Sequence, residues 1–333
     1  MRTTNASTRG GALLAVLWLS AALGAIAFSV AATVRTETER ASTTSEGLRA
    51  YYLAAGSIDR ACLWMMWGLT GNYRRPDGSP MYYQAPMPRL NFEFPGGTVD
   101  VDVVPETGKL NVNTALPEQI EQLLATLGLD PVRAQLVTAG IVQWRTASGA
   151  GNDDSGAISG GGSSFRPRHA SLEELEEILL VPGMTPDIFY GRYDHEPSGR
   201  LIPRGGLRDC LTVWGTSGKI DINTAPPALL ESLGIMPEAV RAILARRASA
   251  PFGKPDEIAQ FVPDPAIAGR LGIGGNSIWT LRATARMRGP NGRTSDLRKT
   301  VAAVVKLLDP TKFDPPYHIM RWYDDAWSPT QGF

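Results

Sequence analysis

The feature that most constrains this chain is a charge-free apolar run at residues 10–34, reading GGALLAVLWLSAALGAIAFSVAATV. A helix rises 1.5 Å per residue, so the run reaches about 37 Å and can cross a bilayer core of about 30 Å. Arg2 and Arg9 precede it and no acidic residue does, which predicts a cytoplasmic N-terminal tail and a translocated remainder. The alternative, a cleaved secretory signal, has an apolar region of only about 7–15 residues.

The apolar run continues into a second helical pattern. No proline occurs from Thr33 to Leu69, and apolar residues recur there at spacings of three and four. This predicts one long helix that ends near Gly71 and packs one amphipathic face on a domain. The predicted packing face consists of Leu48, Tyr51, Tyr52, Ala55, Ile58, Cys62, Met65, Met66 and Leu69. A disulfide between Cys62 and Cys210 stays open at this stage, because distance decides it.

Alternation of apolar and polar residues predicts a small sheet. Residues 98–104 form one predicted strand, after a loop rich in proline and glycine at 72–97. Residues 277–289 and 295–308 are joined by Pro-Asn-Gly and predict a hairpin, and 318–325 predict a further strand or an ordered tail. We expect the first strand to pair with this hairpin, so that the residues between them form a domain inserted into the sheet domain.

The insertion contains a repeated unit at residues 109–145 and 219–247. Each copy has a strand-like start, an Asn-Thr-Ala segment, a short helix, a Leu-Gly turn and a second helix that ends in arginine. Residues 171–192 look like a third, looser helix-turn-helix, and the Gly/Ser-rich residues 149–164 predict a flexible loop. The predicted N-caps of the first helices are Asn113 or Thr114 and Asn223 or Thr224.

These patterns predict an α+β fold. A long N-terminal helix, transmembrane and then amphipathic, packs on a small antiparallel sheet, and a large all-α domain with helix-hairpin-helix-like units is inserted. The predicted divisions are a leader at 1–10, a transmembrane helix at 11–34, its amphipathic continuation at 35–71, a loop and first strand at 72–108, the inserted domain at 109–262, and C-terminal strands and tail at 263–333.

Composition argues against two classes of function. The chain has 33 basic and 33 acidic residues, without the basic excess of most nucleic-acid binders. In the Leu-Gly turns, Asp130 and Met236 replace the second glycine that helix-hairpin-helix modules use to hold phosphate, and Pro237 has no N–H to donate. No metal-ligand spacing, Gly-x-Ser-x-Gly or phosphate loop occurs, so we expect no enzyme. The histidines are His169, His195 and His318.

Four features together, in order and over essentially the whole length, resemble one family. They are RGGALLAVLWLSAALGAIAF after a short basic leader, the RTETERA stretch, the pair GKLNVNTA and GKIDINTAPP, and SLEELEEILLVPGM. The chain resembles the general secretion pathway protein K family, the K-type minor pseudopilins of bacterial type II secretion systems. The resemblance implies a pseudopilin that caps or initiates the pseudopilus tip with I- and J-type minor pseudopilins. It is anchored in the inner membrane, with its bulk in the periplasm.

The resemblance also implies processing at the N-terminus. A prepilin peptidase would cut between Gly10 and Gly11, or between Gly11 and Ala12, and methylate the new N-terminus. Most pilins carry glutamate at mature position five, where this chain has Ala15 or, with the other cut, Val16. Absence of that glutamate is typical of the K component. The alternatives are a minor pilin of a type IV pilus and a membrane-anchored helix-hairpin-helix DNA-binding protein, although we expect neither a nucleic-acid partner nor a small-molecule substrate.

Calcium is the one cofactor that the resemblance suggests. K-type proteins bind it through acidic loops, usually just after a helix that ends in tryptophan. Here Arg145 follows Trp144, and the candidate ligands Asn152, Asp153 and Asp154 come later, within a glycine-rich loop. Calcium takes six to eight oxygen ligands, so a solvated flexible loop is the alternative that the residues favour.

Overall fold

One helix dominates the N-terminal part of the computed structural model. This helix, α1 (Thr8–Thr70), has 63 residues and is therefore about 95 Å long. The structure describes residues 8–71, 73–85, 87–147, 168–195, 199, 201–215, 218–274, 277–289, 292–309 and 312–326. Residues 11–45 of α1 are exposed, and only the C-terminal part of the helix packs on the rest of the protein. Its buried residues are Ala50, Ala54, Ser57, Ile58, Ala61, Cys62 and Met65.

The packing face of α1 is rotated from the predicted one. Ile58, Cys62 and Met65 are buried as expected, but Leu48 is 55% exposed and Tyr52 is 70% exposed. Small residues face the sheet instead, which brings the helix close to the strands. Near the end of the helix, the backbone carbonyl of Tyr83 occupies the space that a Cβ on residue 68, a glycine, would need.

The remaining elements follow in chain order. The strands are β1 (Arg89–Phe94), β2 (Gly97–Pro105), β3 (Leu110–Asn111), β4 (Arg192–His195), β5 (Leu201–Arg204), β6 (Leu211–Thr212), β7 (Ile220–Asp221), β8 (Leu271–Gly272), β9 (Ile278–Arg288), β10 (Thr294–Leu307) and β11 (Tyr317–Tyr323). The helices after α1 are α2 (Pro117–Thr126), α3 (Pro131–Arg145), α4 (Pro186–Tyr190), α5 (Leu207–Cys210), α6 (Pro227–Ser232), α7 (Pro237–Ser249), α8 (Pro255–Ala259) and α9 (Pro265–Ala268). Two 3-10 turns lie at Glu106–Gly108 and Leu175–Leu180.

Five strands form one antiparallel sheet in the order β1-β2-β9-β10-β11. In the centre, Val101 pairs with Ala283, which pairs in turn with Val301. These three side chains are buried in one core with the packing face of α1. The α+β class, the hairpin and its pairing with residues 98–104 are thus confirmed. The prediction of loop throughout 72–97 was wrong, because β1 adds an edge strand there.

The inserted domain is built from two copies of one unit. In the first copy, β3 pairs in parallel with β6, and in the second, β7 pairs in parallel with β8. Each copy therefore opens and closes on a short strand. The segment 171–192 is not a third unit, because it lies inside the first copy before its closing strand. The domain also extends past the predicted boundary at 262, since Leu271 lies in the core of the helical units.

The repeated asparagines do not cap helices. The N-cap residues of α2 and α6 are Leu116 and Pro226. Asn113 instead donates from Nδ2 to the Leu172 carbonyl at 2.9 Å and accepts the Leu172 N–H at 2.8 Å. Asn223 makes the same pair of bonds with Phe252, at 3.1 and 2.8 Å. Each asparagine thus satisfies a buried backbone segment in its own copy.

The arginine that ends the second helix has a matching role in each copy. Arg145 donates to the carbonyls of Val112 and Ala115. Arg247 donates to the carbonyls of Ile222 and Ala225, at 3.1 and 2.8 Å. Burial lowers the pKa of both guanidinium groups, which nevertheless stay charged. The repeated arginine therefore holds the start of each unit against its second helix.

Candidate functional site

The exposed part of α1 is the first candidate site. It is the one helix in the described ranges that is long and apolar enough to cross a membrane, and its most apolar stretch of 18 residues is 0% buried. Large apolar side chains cover it on all sides, with exposed fractions between 57 and 78%. They are Leu13, Leu14, Val16, Leu17, Trp18, Leu19, Leu23, Ile26, Phe28, Val30 and Val34. An apolar surface of this size marks a membrane or protein contact.

The character of α1 changes at Arg35. Arg35 and Glu39 pair at 3.1 Å, and Arg40 and Glu37 pair at 3.3 Å. These pairs are exposed and add little to stability, but they show that water is a suitable surrounding for this stretch. The helix therefore passes from a lipid-compatible to a water-compatible surface within one turn.

The residues predicted for processing lie at the start of α1. Gly10 and Gly11 are both within its first turns. A Cβ on Gly11 would meet no heavy atom within 4 Å, so the folded chain itself does not require glycine there. Ala15 and Val16 are exposed, and no acidic side chain lies between Gly10 and Val34.

A second exposed surface lies on α1 where it crosses the sheet. Leu48, Tyr52, Leu63 and Trp67 are 55, 70, 39 and 42% exposed. Gly56 lies between them, is exposed, and has no heavy atom within 4 Å of a Cβ position. We call these five residues the outer stripe. The sequence pattern included Leu48 and Tyr52 but predicted that they pack against the sheet. It missed Gly56, Leu63 and Trp67. Their spacing of about one or two helical turns was the signal that could have placed them on one face.

The helical domain is fixed to the face of the sheet opposite α1. Glu106, which is 4% exposed, accepts a hydrogen bond from Thr280 Oγ1 at 2.6 Å and pairs with Lys109 at 3.0 Å. Glu174 accepts from Tyr323 Oη at 2.8 Å and pairs with Arg321 at 2.5 Å. Burial, and then the bond to Glu174, raises the pKa of Tyr323. The two units of the protein are thus joined at the central strand β9 and at the edge strand β11.

Both Leu-Gly turns need glycine for their backbone conformation, and the first turn also carries a carboxylate that opposes phosphate. Gly128 and Gly234 have φ of +95° and +93°, a conformation that favours glycine. Asp130 Oδ1 accepts the Arg133 N–H at 3.0 Å and so caps α3. A phosphate at this helix N-terminus would meet a carboxylate that already occupies the free N–H group.

The predicted calcium ligands and the two cysteines are the remaining candidate residues. The candidate calcium ligands Asn152, Asp153 and Asp154 lie outside the described residues. Within the described ranges, no cluster of three His, Cys, Asp or Glu side chains could hold a metal ion. Cys62 and Cys210 are both free and lie in different cores, so they are not bridged.

Comparison with known proteins finds similarity among solved structures. No protein-family model matches the chain, and no curated protein matches it. A chain in the crystal structure of the GspK-GspI-GspJ complex from the type 2 secretion system of enterotoxigenic Escherichia coli matches the fold with a TM-score of 0.57 and 16% sequence identity. The alignment covers 87% of this chain and 100% of that chain. At this identity the likeness concerns the fold, which is therefore pseudopilin-like.

Proposed function

We propose that this protein is a K-type minor pseudopilin of a type II protein secretion system. The observation that carries the proposal is the single helix α1, whose N-terminal part is apolar and exposed and whose C-terminal part packs on a five-stranded sheet that bears a large helical insertion. The matching structure with this architecture is a complex of three such secretion components. We infer that α1 anchors the chain in the inner membrane, with the rest in the periplasm, and that the protein is a structural subunit without enzymatic activity.

The proposal gives the N-terminus a processing step. A prepilin peptidase would cut at Gly10-Gly11, and the open space around Gly11 imposes no need for glycine at that residue. The Gly10→Leu/Gly11→Leu variant should keep its leader, and the mass of the protein purified from membranes would measure this. Gly24→Leu is the matched control, since Gly24 is also exposed in α1 with nothing within 4 Å. Normal maturation of the double variant would refute the proposal for this step.

The missing acidic residue suits a subunit at the filament tip. A carboxylate in lipid is costly unless it is paired. In a filament, the N-terminal amine of the subunit ahead could supply that pairing, so a subunit with none ahead needs no carboxylate. Ala15 and Val16 fit this position. The helical domain, seated on the sheet face opposite α1, adds bulk that would obstruct a further subunit above it.

The outer stripe is the surface that we propose for the I- and J-type partners. These partners would carry apolar helices anchored in the same membrane, so they would run alongside α1. Gly56 would allow a second helix to approach closely between the large side chains of the stripe. The stripe lies on the same helix as the exposed apolar surface of residues 11–34, so a partner helix that runs alongside α1 would contact both.

Co-purification from membranes tests this interface. The Leu63→Arg/Trp67→Arg variant should lose most of the I- and J-type partner recovered with the wild-type chain, because charges would be buried without partners. Val132→Arg is the control, since Val132 is 78% exposed on the helical domain. Equal recovery with all three proteins would exclude the outer stripe. Recovery of type IV pilus subunits in place of the I- and J-type partners would favour the alternative minor pilin.

A further inference from the structure

A polar cleft lies between the two copies of the helical unit. Its volume is about 430 Å³, within the usual range for small-ligand sites. Both copies contribute to its walls, and no lining residue is acidic. The lining includes Thr107, Lys109, Gln119, Gly218, Lys219 and Arg270. The two lysines occupy matching positions, in the Gly-Lys pair that opens each copy.

The charges in this cleft are not balanced. Lys109 is neutralised by the buried Glu106, three residues before it. The residue three positions before Lys219 is Thr216, so the second copy lacks that acid. Neither Lys219 nor Arg270 has an ion-pair partner within the described ranges. Two uncompensated cations therefore face one concave space, where like charges raise the electrostatic potential.

A buried hydroxyl adds a second, independent observation. Thr107 Oγ1 is shut off from solvent and has no hydrogen-bond partner in the described part of the chain. An unsatisfied buried polar group costs about 1–3 kcal/mol. Thr107 lies in the wall of the cleft, so a rotation of its side chain toward a bound oxygen atom would satisfy it. The cleft thus presents two cations to a ligand, and rotation of the Thr107 side chain would add a hydroxyl donor.

We propose that this cleft binds a small ligand that carries an oxyanion, either a carboxylate or a phosphate group. Lys219 and Arg270 supply the charge, and Arg270 can make two parallel bonds to either group. Thr107 supplies a further donor. This binding site is separate from α1 and from assembly of a pseudopilus. A negative result for anion binding would therefore not contradict the proposed pseudopilin function, and the reverse also holds.

Thermal unfolding of the full-length protein in detergent tests the site. The protein is titrated with sodium phosphate and with sodium succinate, each against sodium chloride at equal ionic strength. A binding site raises the unfolding midpoint saturably with phosphate, succinate or both, because a ligand of the native state stabilises it. The arm that responds identifies the class of anion. No saturable response in either arm would overturn the proposal.

Variants separate this site from general charge effects. Lys219→Ala/Arg270→Ala should weaken the apparent affinity at least tenfold, whereas Lys219→Arg/Arg270→Lys should retain binding. The control Lys254→Ala/Arg298→Ala removes the same charge from exposed positions away from the cleft and should respond like the wild type. If the double alanine variant and this control respond alike, the cleft is not the site. If the double alanine variant does not fold, loss of the response in the conservative variant would likewise count against the proposal.

Discussion

The hydrogen bonds from Asn113 to Leu172 and from Asn223 to Phe252 give a prediction whose size follows from their geometry. Asn113→Asp removes the donor that Leu172 O accepts at 2.9 Å and places a carboxylate oxygen near that carbonyl. Leu172 is 3% exposed, so its carbonyl is left without a partner. Loss of one bond to a buried group costs about 1–3 kcal/mol, and the added repulsion places the total near the top of that range. For a domain of this size, the unfolding midpoint should fall by about 4–12 °C.

The pH dependence of this effect is distinctive. The introduced carboxyl is half-buried beside a carbonyl, so its pKa in the folded protein is raised above the unfolded value of about 3.9. A protonated carboxyl can donate to Leu172 O, so the stability deficit is smallest below the unfolded pKa. The deficit grows as the pH rises through the folded pKa.

Thermal unfolding of the full-length variant in detergent at pH 4 and pH 7 measures both effects. Asn223→Asp should behave like Asn113→Asp, because its bonds to Phe252 have the same geometry. Gln135→Glu is the control, since Gln135 is exposed on α3. A deficit that is absent at pH 7, or that does not shrink at pH 4, would refute the reasoning.

Three other predictions concern the same preparation. Gly56→Ala should raise the stability by up to about 1 kcal/mol, because alanine has the higher helix propensity and position 56 is open. Gly68→Ala should lower the stability, because the Tyr83 carbonyl fills the space that the new Cβ would need. Calorimetry compares the two variants. The thiols of Cys62 and Cys210 should not react with a maleimide at pH 8 until the protein unfolds, since burial raises the pKa of Cys62 to about 12 and also raises that of Cys210; rapid labelling of native protein would contradict this. Glu174→Gln should lower stability by about 0.5–1 kcal/mol, because the ion pair that it loses is partly exposed; an unchanged denaturant midpoint would show that this contact does not hold the domains together.

The sequence predicted the parts of the fold that have a strong period. The apolar run of α1 and the alternation in β2, β9 and β10 each specify one kind of element, and the Pro-Asn-Gly turn fixes which strands are neighbours. The repeated Asn-Thr-Ala segments also identified the two helical units. These features were sufficient for the α+β class and for the insertion of one domain into the other.

Other features depend on contacts that a periodic pattern does not contain. Alanine carries little hydrophobic signal, so the pattern favoured Leu48 and Tyr52 for the packing face, although close approach to the sheet selected Ala50 and Ala54. The prolines around β1 concealed an edge strand, where such residues are tolerated. Asn113 and Asn223 have capping propensity, but their partners lie far along the chain. The cleft between the two copies exists only once both are folded.

The unbroken course of α1 has a mechanical consequence. Residues 35–49 form a largely exposed helical segment, the shaft, about 22 Å long between the apolar segment and the first residue buried against the sheet, Ala50. No proline interrupts the helix, so the shaft lacks the usual site of a sharp bend. If the apolar end shifts its packing register by one residue, so that each side chain takes the place of its neighbour, the whole domain moves by about 1.5 Å along the axis and turns by about 100°. For such register shifts, the axial position of the domain and its rotation about the helix axis change together.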